Sequence, residues 1–110
     1  MIEVEFQILI RKNGKLFLRS STVKLLREIE RRGSLRIAAQ ELAYSYQHTW
    51  DIVNEINRIA SQPVVIKQRG GIRGGGAKLS AYGHRLLDEF NSIERTVQTF
   101  SKKMNAEINF

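Results

Sequence analysis

Apolar and polar residues alternate from the start of the chain. In IEVEFQILI, residues 2–10, Ile2, Val4, Phe6, Ile8 and Ile10 fall on one side and Glu3, Glu5 and Gln7 on the other. A period of two predicts a half-buried strand. Asn13-Gly14 follows, the dipeptide of a two-residue turn in which both residues take positive φ. The chain is therefore expected to open with a β-hairpin whose second strand runs through Lys15 to Leu18.

The period then changes. In SSTVKLLREIERRG, Leu25, Leu26 and Ile29 form the apolar stripe of a helix, hydroxyls stand where a start is capped, and Gly33 stands at a C-terminal stop. Ser34 suits the cap of a second, short helix, LRIAAQEL, whose small residues let another helix approach. After a break at Ala43-Tyr44, Ser45 suits the cap of a third helix reaching about Ala60. Thr49, Ile52, Val53, Ile56 and Ile59 make its buried face. Pro63 ends that run. VVIKQ reads as a short β-branched strand and AKLS as a returning strand, so a second hairpin is expected over about 64–80. Ser80 suits the cap of a last helix, in which Leu86, Phe90, Ile93, Val97, Phe100 and Met104 recur at spacings of 4, 3, 4, 3 and 4. That is a heptad seam. From Ser80 to Met104 the helix would measure ~37 Å, against a radius of gyration of ~13 Å for a domain of this size. Part of the stripe should outrun the domain, and a dimer seam is expected there. The alternative is that the helix folds back on the first helix of its own domain.

The chain has 110 residues, which suits one domain. It has no cysteine, and its histidines, His48 and His84, stand apart, so a metal site is not expected. The first thirty residues lack the apolar core of a signal peptide, and nothing approaches the ~18 apolar residues of a membrane span. The expected location is the cytoplasm. Charge changes the picture more. Eighteen Lys and Arg against eleven Asp and Glu give +7. Between Ile56 and Leu87 there is no carboxylate, while Arg58, Lys67, Arg69, Arg73, Lys78 and Arg85 all lie there. A local field of one sign points to a polyanionic partner.

RGGIRGGGAK, residues 69–78, holds five of the eight glycines. A phosphate-cradling G-x-x-x-x-G-K-[ST] loop would need Lys at position 76 or 77, where the chain has Gly76 and Ala77. The dinucleotide pattern G-x-G-x-x-G would need glycine at 79, which is Leu79. No cofactor is expected. A wing fits better. Helix, helix, break, helix, strand, glycine loop, strand is the order of a winged helix-turn-helix, in which the third helix enters the DNA major groove and the hairpin beside it reaches the backbone. Glycine supplies a thin, easily turned tip. Arg73 at the tip, with Arg69 and Lys78 at the base, would supply attraction to phosphates.

The third helix offers Tyr46, Gln47 and His48 in its first exposed turn, then Asp51 and Asn54. Gln and Asn suit bidentate contacts to adenine edges, and Tyr and His suit phosphate or base. Asp51 is the least natural neighbour of a phosphate; it suits either a cytosine amine or the orienting of a neighbouring side chain. Trp50 flanks the apolar stripe and is expected in the core rather than at a base. Ser34 and Arg36 begin the second helix, whose N-terminal amides could hold a phosphate, and Ser45 opens the third.

Over about residues 15–95 the sequence resembles the N-terminal DNA-binding domain of the ModE family, molybdate-responsive transcriptional regulators, and more broadly the LysR-type winged helix-turn-helix. The resemblance is carried by GSLRIAAQELAYSYQHTWDIVNEIN and GGIRGGGAKLSAYGHRLL. Its most specific parts are the Ser45-Tyr46 opening with Trp50 four residues on, N-E-I-N at 54–57, and the glycine-rich run from Gly70 to Gly83. The resemblance implies a dimer held largely by the long helix, a recognition helix over Ser45 to Ile59, a wing over Val64 to Ser80, and binding to a palindromic operator. It departs at Gln47 and His48, where the family often has a basic residue in the first of these places. The family's molybdate-binding domains lie beyond the region matched, so DNA binding and dimerisation are expected here and molybdate sensing is not. An effector, if there is one, would need an inter-helix cavity, a dimer interface or a partner chain.

The fold class expected is thus mainly α with small β: a winged helix-turn-helix with an N-terminal hairpin and a long C-terminal dimerisation helix over about 80–104. The function expected is a dimeric, sequence-specific regulator acting on double-stranded DNA. The alternatives are a winged-helix protein-interaction module or a non-specific architectural DNA binder. No paired-carboxylate cleft and no nucleophile with a base beside it points to an enzyme.

Overall fold

A computed structural model of the chain describes residues 2–68 and 76–110. Two strands, β1 (Ile10–Lys12) and β2 (Lys15–Leu18), precede three helices, α1 (Ser20–Arg32), α2 (Leu35–Leu42) and α3 (Tyr46–Ile59). Strands β3 (Val65–Gln68) and β4 (Gly76–Leu79) follow, then the long helix α4 (Ala81–Glu107). Each strand pair is antiparallel and forms its own two-stranded sheet. The expected winged helix-turn-helix, mainly helical with an N-terminal hairpin, is the fold found.

The first hairpin is shorter than the alternation predicts. Asn13 and Gly14 do turn the chain at positive φ, 52° and 78°. Strand β1, however, begins only at Ile10, and residues 2–9 pair with no strand. They run beside the far end of α4 instead. The Asn105 amide accepts from the Val4 N–H through Oδ1 and donates to the Val4 carbonyl through Nδ2. The Phe6 and Phe100 rings meet edge to face at 5.5 Å. Alternation requires one apolar face, and a helix flank satisfies that as well as a sheet does.

The helix boundaries follow from local chemistry. Gly33 leaves α1 in the left-handed region at φ 65°. Ser34, Ser45 and Ser80 each cap a helix, their Oγ atoms accepting from Ile37 N–H, His48 N–H and Gly83 N–H at 3.2, 3.0 and 2.9 Å. The expected hydroxyl cap on α1 is absent: Arg19 stands at that position, and Ser20 and Ser21 are already helical.

One core joins all of this. Leu25, Leu26 and Ile29 of α1, Leu35 and Ala38 of α2, Val53 and Ile56 of α3, Val64 and Leu79 around the second hairpin, and Leu87 and Phe90 of α4 are buried together. Ala38 and Ala39 are the small buried surface of α2, as their size leads one to expect. Gly83 marks a close approach: a Cβ there would lie 2.4 Å from the Val64 carbonyl oxygen. That carbonyl also accepts the Ser80 N–H at 2.9 Å, so α4 starts pressed against the hairpin.

Helix α4 has 27 residues, roughly 40 Å at the usual helical rise. It stretches the molecule to 56 Å and a radius of gyration of 16.2 Å. The expected seam divides along its length. Phe90 is only 4% exposed and Leu86 packs beside it, so these two belong to the chain's own core rather than to a free stripe. Ile93 at 42% and Phe100 at 51% are open to solvent, with Val97 and Met104 half-buried.

Candidate nucleic-acid interface

Helix α3 buries Thr49, Val53 and Ile56. At 3.6 residues per turn the opposite edge must carry Gln47, Asp51, Asn54 and Arg58, and all four are exposed. Of the expected first-turn residues, only Gln47 lies on this outermost row. Tyr46 and His48 are exposed on its two flanks. Tyr46 meets the edge of Trp50 at 6.1 Å, and the Arg36 guanidinium lies 4.8 Å from the Tyr46 ring centroid. His48 turns the other way and meets Tyr44 at 5.4 Å. The start of α2 and the start of α3 are thus tied through Arg36 and Tyr46. Arg36 keeps a cation exposed beside the row, and Ser34 and Ser45 hold the helix starts in place.

The second hairpin lies along one flank of α3. Between them runs a groove of about 790 Å³ walled by Trp50, Asn54, Asn57, Lys67 and Gln68 among others. Asn57 bolts the two elements together. Its Oδ1 accepts the Val64 and Val65 N–H groups at 2.8 and 3.1 Å, and its Nδ2 donates to the Val65 carbonyl at 3.0 Å. Of the asparagines in N-E-I-N, then, Asn54 faces outward and Asn57 is structural. The other side of the hairpin is clipped to the α1–α2 turn, where Ala77 N–H donates to the Gly33 carbonyl at 3.2 Å and Ser34 bridges Gly76.

Strand pleating sorts the cations of the hairpin. Val65 and Lys67 share one face with their partners Leu79 and Ala77. Lys67 accordingly reaches over α3, its Nζ 4.2 Å from the Trp50 ring centroid. Lys78, paired with Ile66, is exposed on the opposite face. Lys67 is the residue that reading the sequence undervalues, although a period of two counted from Val65 finds it. Trp50 is half-buried against the core as expected, and it is also the floor on which Lys67 rests. Arg69 and Arg73 lie outside the described residues.

Two acidic side chains temper the basic surface. The Arg58 guanidinium bonds both carboxylate oxygens of Glu55, at 2.6 and 2.7 Å. That bonding holds the Glu55 carboxyl below its ordinary range and pushes Arg58 up. One cation of the carboxylate-free span is therefore already matched by a carboxylate just outside it. Asp51 accepts from the Gln47 amide, Nε2 to Oδ1, at 2.9 Å. Among the described residues no group of three His, Asp or Glu is placed to hold a metal, and no helix is long and apolar enough to cross a membrane.

A short tri-helical unit with a hairpin flanking its third helix is a winged helix-turn-helix. The chain superimposes on the CbnR DNA-binding domain, solved in complex with DNA, with a TM-score of 0.65 at 16% identity, over 81% of this chain and 97% of that one. No protein-family model matches. The sequence is nonetheless that of a relative of ModE: it is 35% identical over 96 residues to the transcriptional regulator ModE of Haemophilus influenzae, covering 87% of this chain and 38% of that protein. It is 33% identical over 92 residues to the molybdenum transport protein ModE of Azotobacter vinelandii, covering 84% of this chain and 34% of that one. The chain thus spans a little over a third of the length of these relatives.

Proposed function

We propose that the chain is a sequence-specific DNA-binding module of a transcriptional regulator, and that it acts as a dimer. The observation that carries this is the outward row of α3, hydrogen-bonding side chains with two cations held along one flank by neighbouring elements: Arg36 from α2 over Tyr46 and Lys67 from β3 over Trp50. In this reading α3 lies in the major groove with Gln47 and Asn54 at base edges, and the second hairpin meets the adjoining backbone. Lys78, Arg69 and Arg73 add sequence-blind attraction. Ile93 and Phe100, with Val97 and Met104, meet a second copy, which places two α3 helices on one duplex. Regulation follows by competing with, or recruiting, the transcription machinery. The reading assigns the module no catalysis, and it does not extend to molybdate.

Selection from random duplex DNA at physiological salt tests this. Enrichment of a two-fold symmetric site, with half-sites one helical turn or a multiple apart, is expected. Retention without enrichment would reduce the protein to a non-specific binder. No retention would leave a protein-interaction module as the better reading.

A further inference from the structure

We propose that Asp51 is a positioning residue for base selection: it locks the Gln47 amide in the one orientation that accepts adenine and rejects guanine. The proposal rests on the DNA-binding reading above. A carboxylate is an acceptor only, so the end of the Gln47 amide that faces Asp51 must be the nitrogen. The 2.9 Å contact is thus assigned by chemistry as well as by position: Nε2–H donates to Oδ1. One N–H is consumed. With the N–H that points away from the carbonyl oxygen given to Asp51, the carbonyl oxygen and the second N–H, on one side, remain free to act together. This donor and acceptor match the N7 acceptor and N6 amine of adenine in the major groove. Guanine presents two acceptors there, N7 and O6, and O6 would face the Gln47 carbonyl. An unanchored glutamine keeps both N–H groups free and can offer them to the guanine acceptors with its carbonyl turned away.

The setting suits this role. Gln47 and Asp51 lie one turn apart on the outermost row of α3, and both are exposed. Among the described residues Asp51 has no cation within salt-bridge range, whereas Glu55, one turn on, is matched by Arg58. An unmatched carboxylate on the face that meets a polyanion weakens binding to every sequence alike. That uniform cost cancels between sites, so the contrast rests on the Gln47 contact that Asp51 positions.

The test is a discrimination ratio, the affinity for the selected site over that for the same site with A·T changed to G·C at the pair where Gln47→Ala lowers the preference most. This ratio does not depend on what fraction of a variant is folded. The wild type should discriminate by about tenfold or more, as one good bidentate contact does. Asp51→Ala and Asp51→Asn should lower the ratio to about twofold while binding unrelated duplex several-fold more tightly at low salt. In a Gln47→Ala background, Asp51→Ala should leave the ratio unchanged. A wild-type ratio in Asp51→Ala overturns the proposal. So does an equal loss in the Gln47→Ala background, because Asp51 would then read the base itself. A wild type that enriches no site at all overturns the DNA-binding reading, and this proposal with it.

Discussion

Asn57→Ala should be a costly change on α3, although the residue is polar and only half-buried. The side chain makes three hydrogen bonds to the backbone of Val64 and Val65, residues that are 0% and 5% exposed. Truncation leaves two N–H groups and a carbonyl unpaired where water enters poorly. At roughly 1 kcal/mol for each bond lost, more for a buried group left orphaned, the cost is about 3 kcal/mol. That is a large share of the ~5–15 kcal/mol that holds a domain together. In urea, with a slope of ~1.5 kcal/mol per molar, the midpoint should fall by roughly 2 M with the slope unchanged. Wild type and variant are compared at one protein concentration, because association shifts the midpoint. Asn54→Ala is the control: exposed on the row, it should cost under ~0.5 kcal/mol yet alter the selected DNA sequence. Should Asn57→Ala unfold within about 0.3 M of wild type, the side chain is no bolt and the hairpin is held by its strand pairing and its clip to Gly33 and Ser34.

Gly83→Ala should lower the melting temperature, because its methyl group would meet the Val64 carbonyl at 2.4 Å. The overpacking costs ~1–3 kcal/mol and outweighs the ~1 kcal/mol gained in helix propensity; a thermal melt reads it as a fall of several degrees. Glu55→Gln should release Arg58 and steepen the dependence of log affinity on log salt by about one unit, measured by titration of unrelated duplex. Because Arg58 lowers the Glu55 pKa, the pairing is present at neutral pH and is lost only as pH falls through that lowered value. Replacing Ile93 and Phe100 together by Glu should give a monomer in sedimentation equilibrium while the far-ultraviolet spectrum stays helical; an unchanged mass would place the second copy elsewhere.

Much of the architecture is legible in the sequence because its signals are local. Asn13-Gly14, Gly33, Ser34, Ser45 and Ser80 each act on their own few residues, and each does what its type implies. The N-terminal alternation fails as a strand because a period of two specifies a face and not a partner; α4 takes the place of a sheet. The heptad stripe likewise cannot say where the domain's own core ends, and Phe90 falls inside it. On the interface, the exposed row follows from helical period alone. The ties do not: Asn57 to Val65, Arg36 to Tyr46 and Lys67 to Trp50 join separate elements, and only the folded chain brings them together. Asp51 sits between the two cases, its partner being one turn away.

The double fastening of the second hairpin has a mechanical meaning. Asn57 ties strand β3 to α3, while Gly33 and Ser34 clip β4 to the turn that starts α2. Hairpin and helix are thus the two jaws of a caliper whose opening is set by the protein. On the DNA-binding reading proposed above, a duplex must match that gap or be deformed to fit it. Base steps that neither jaw touches will then affect binding through their stiffness and groove width, so flexible and rigid sequences of equal contact chemistry will be told apart.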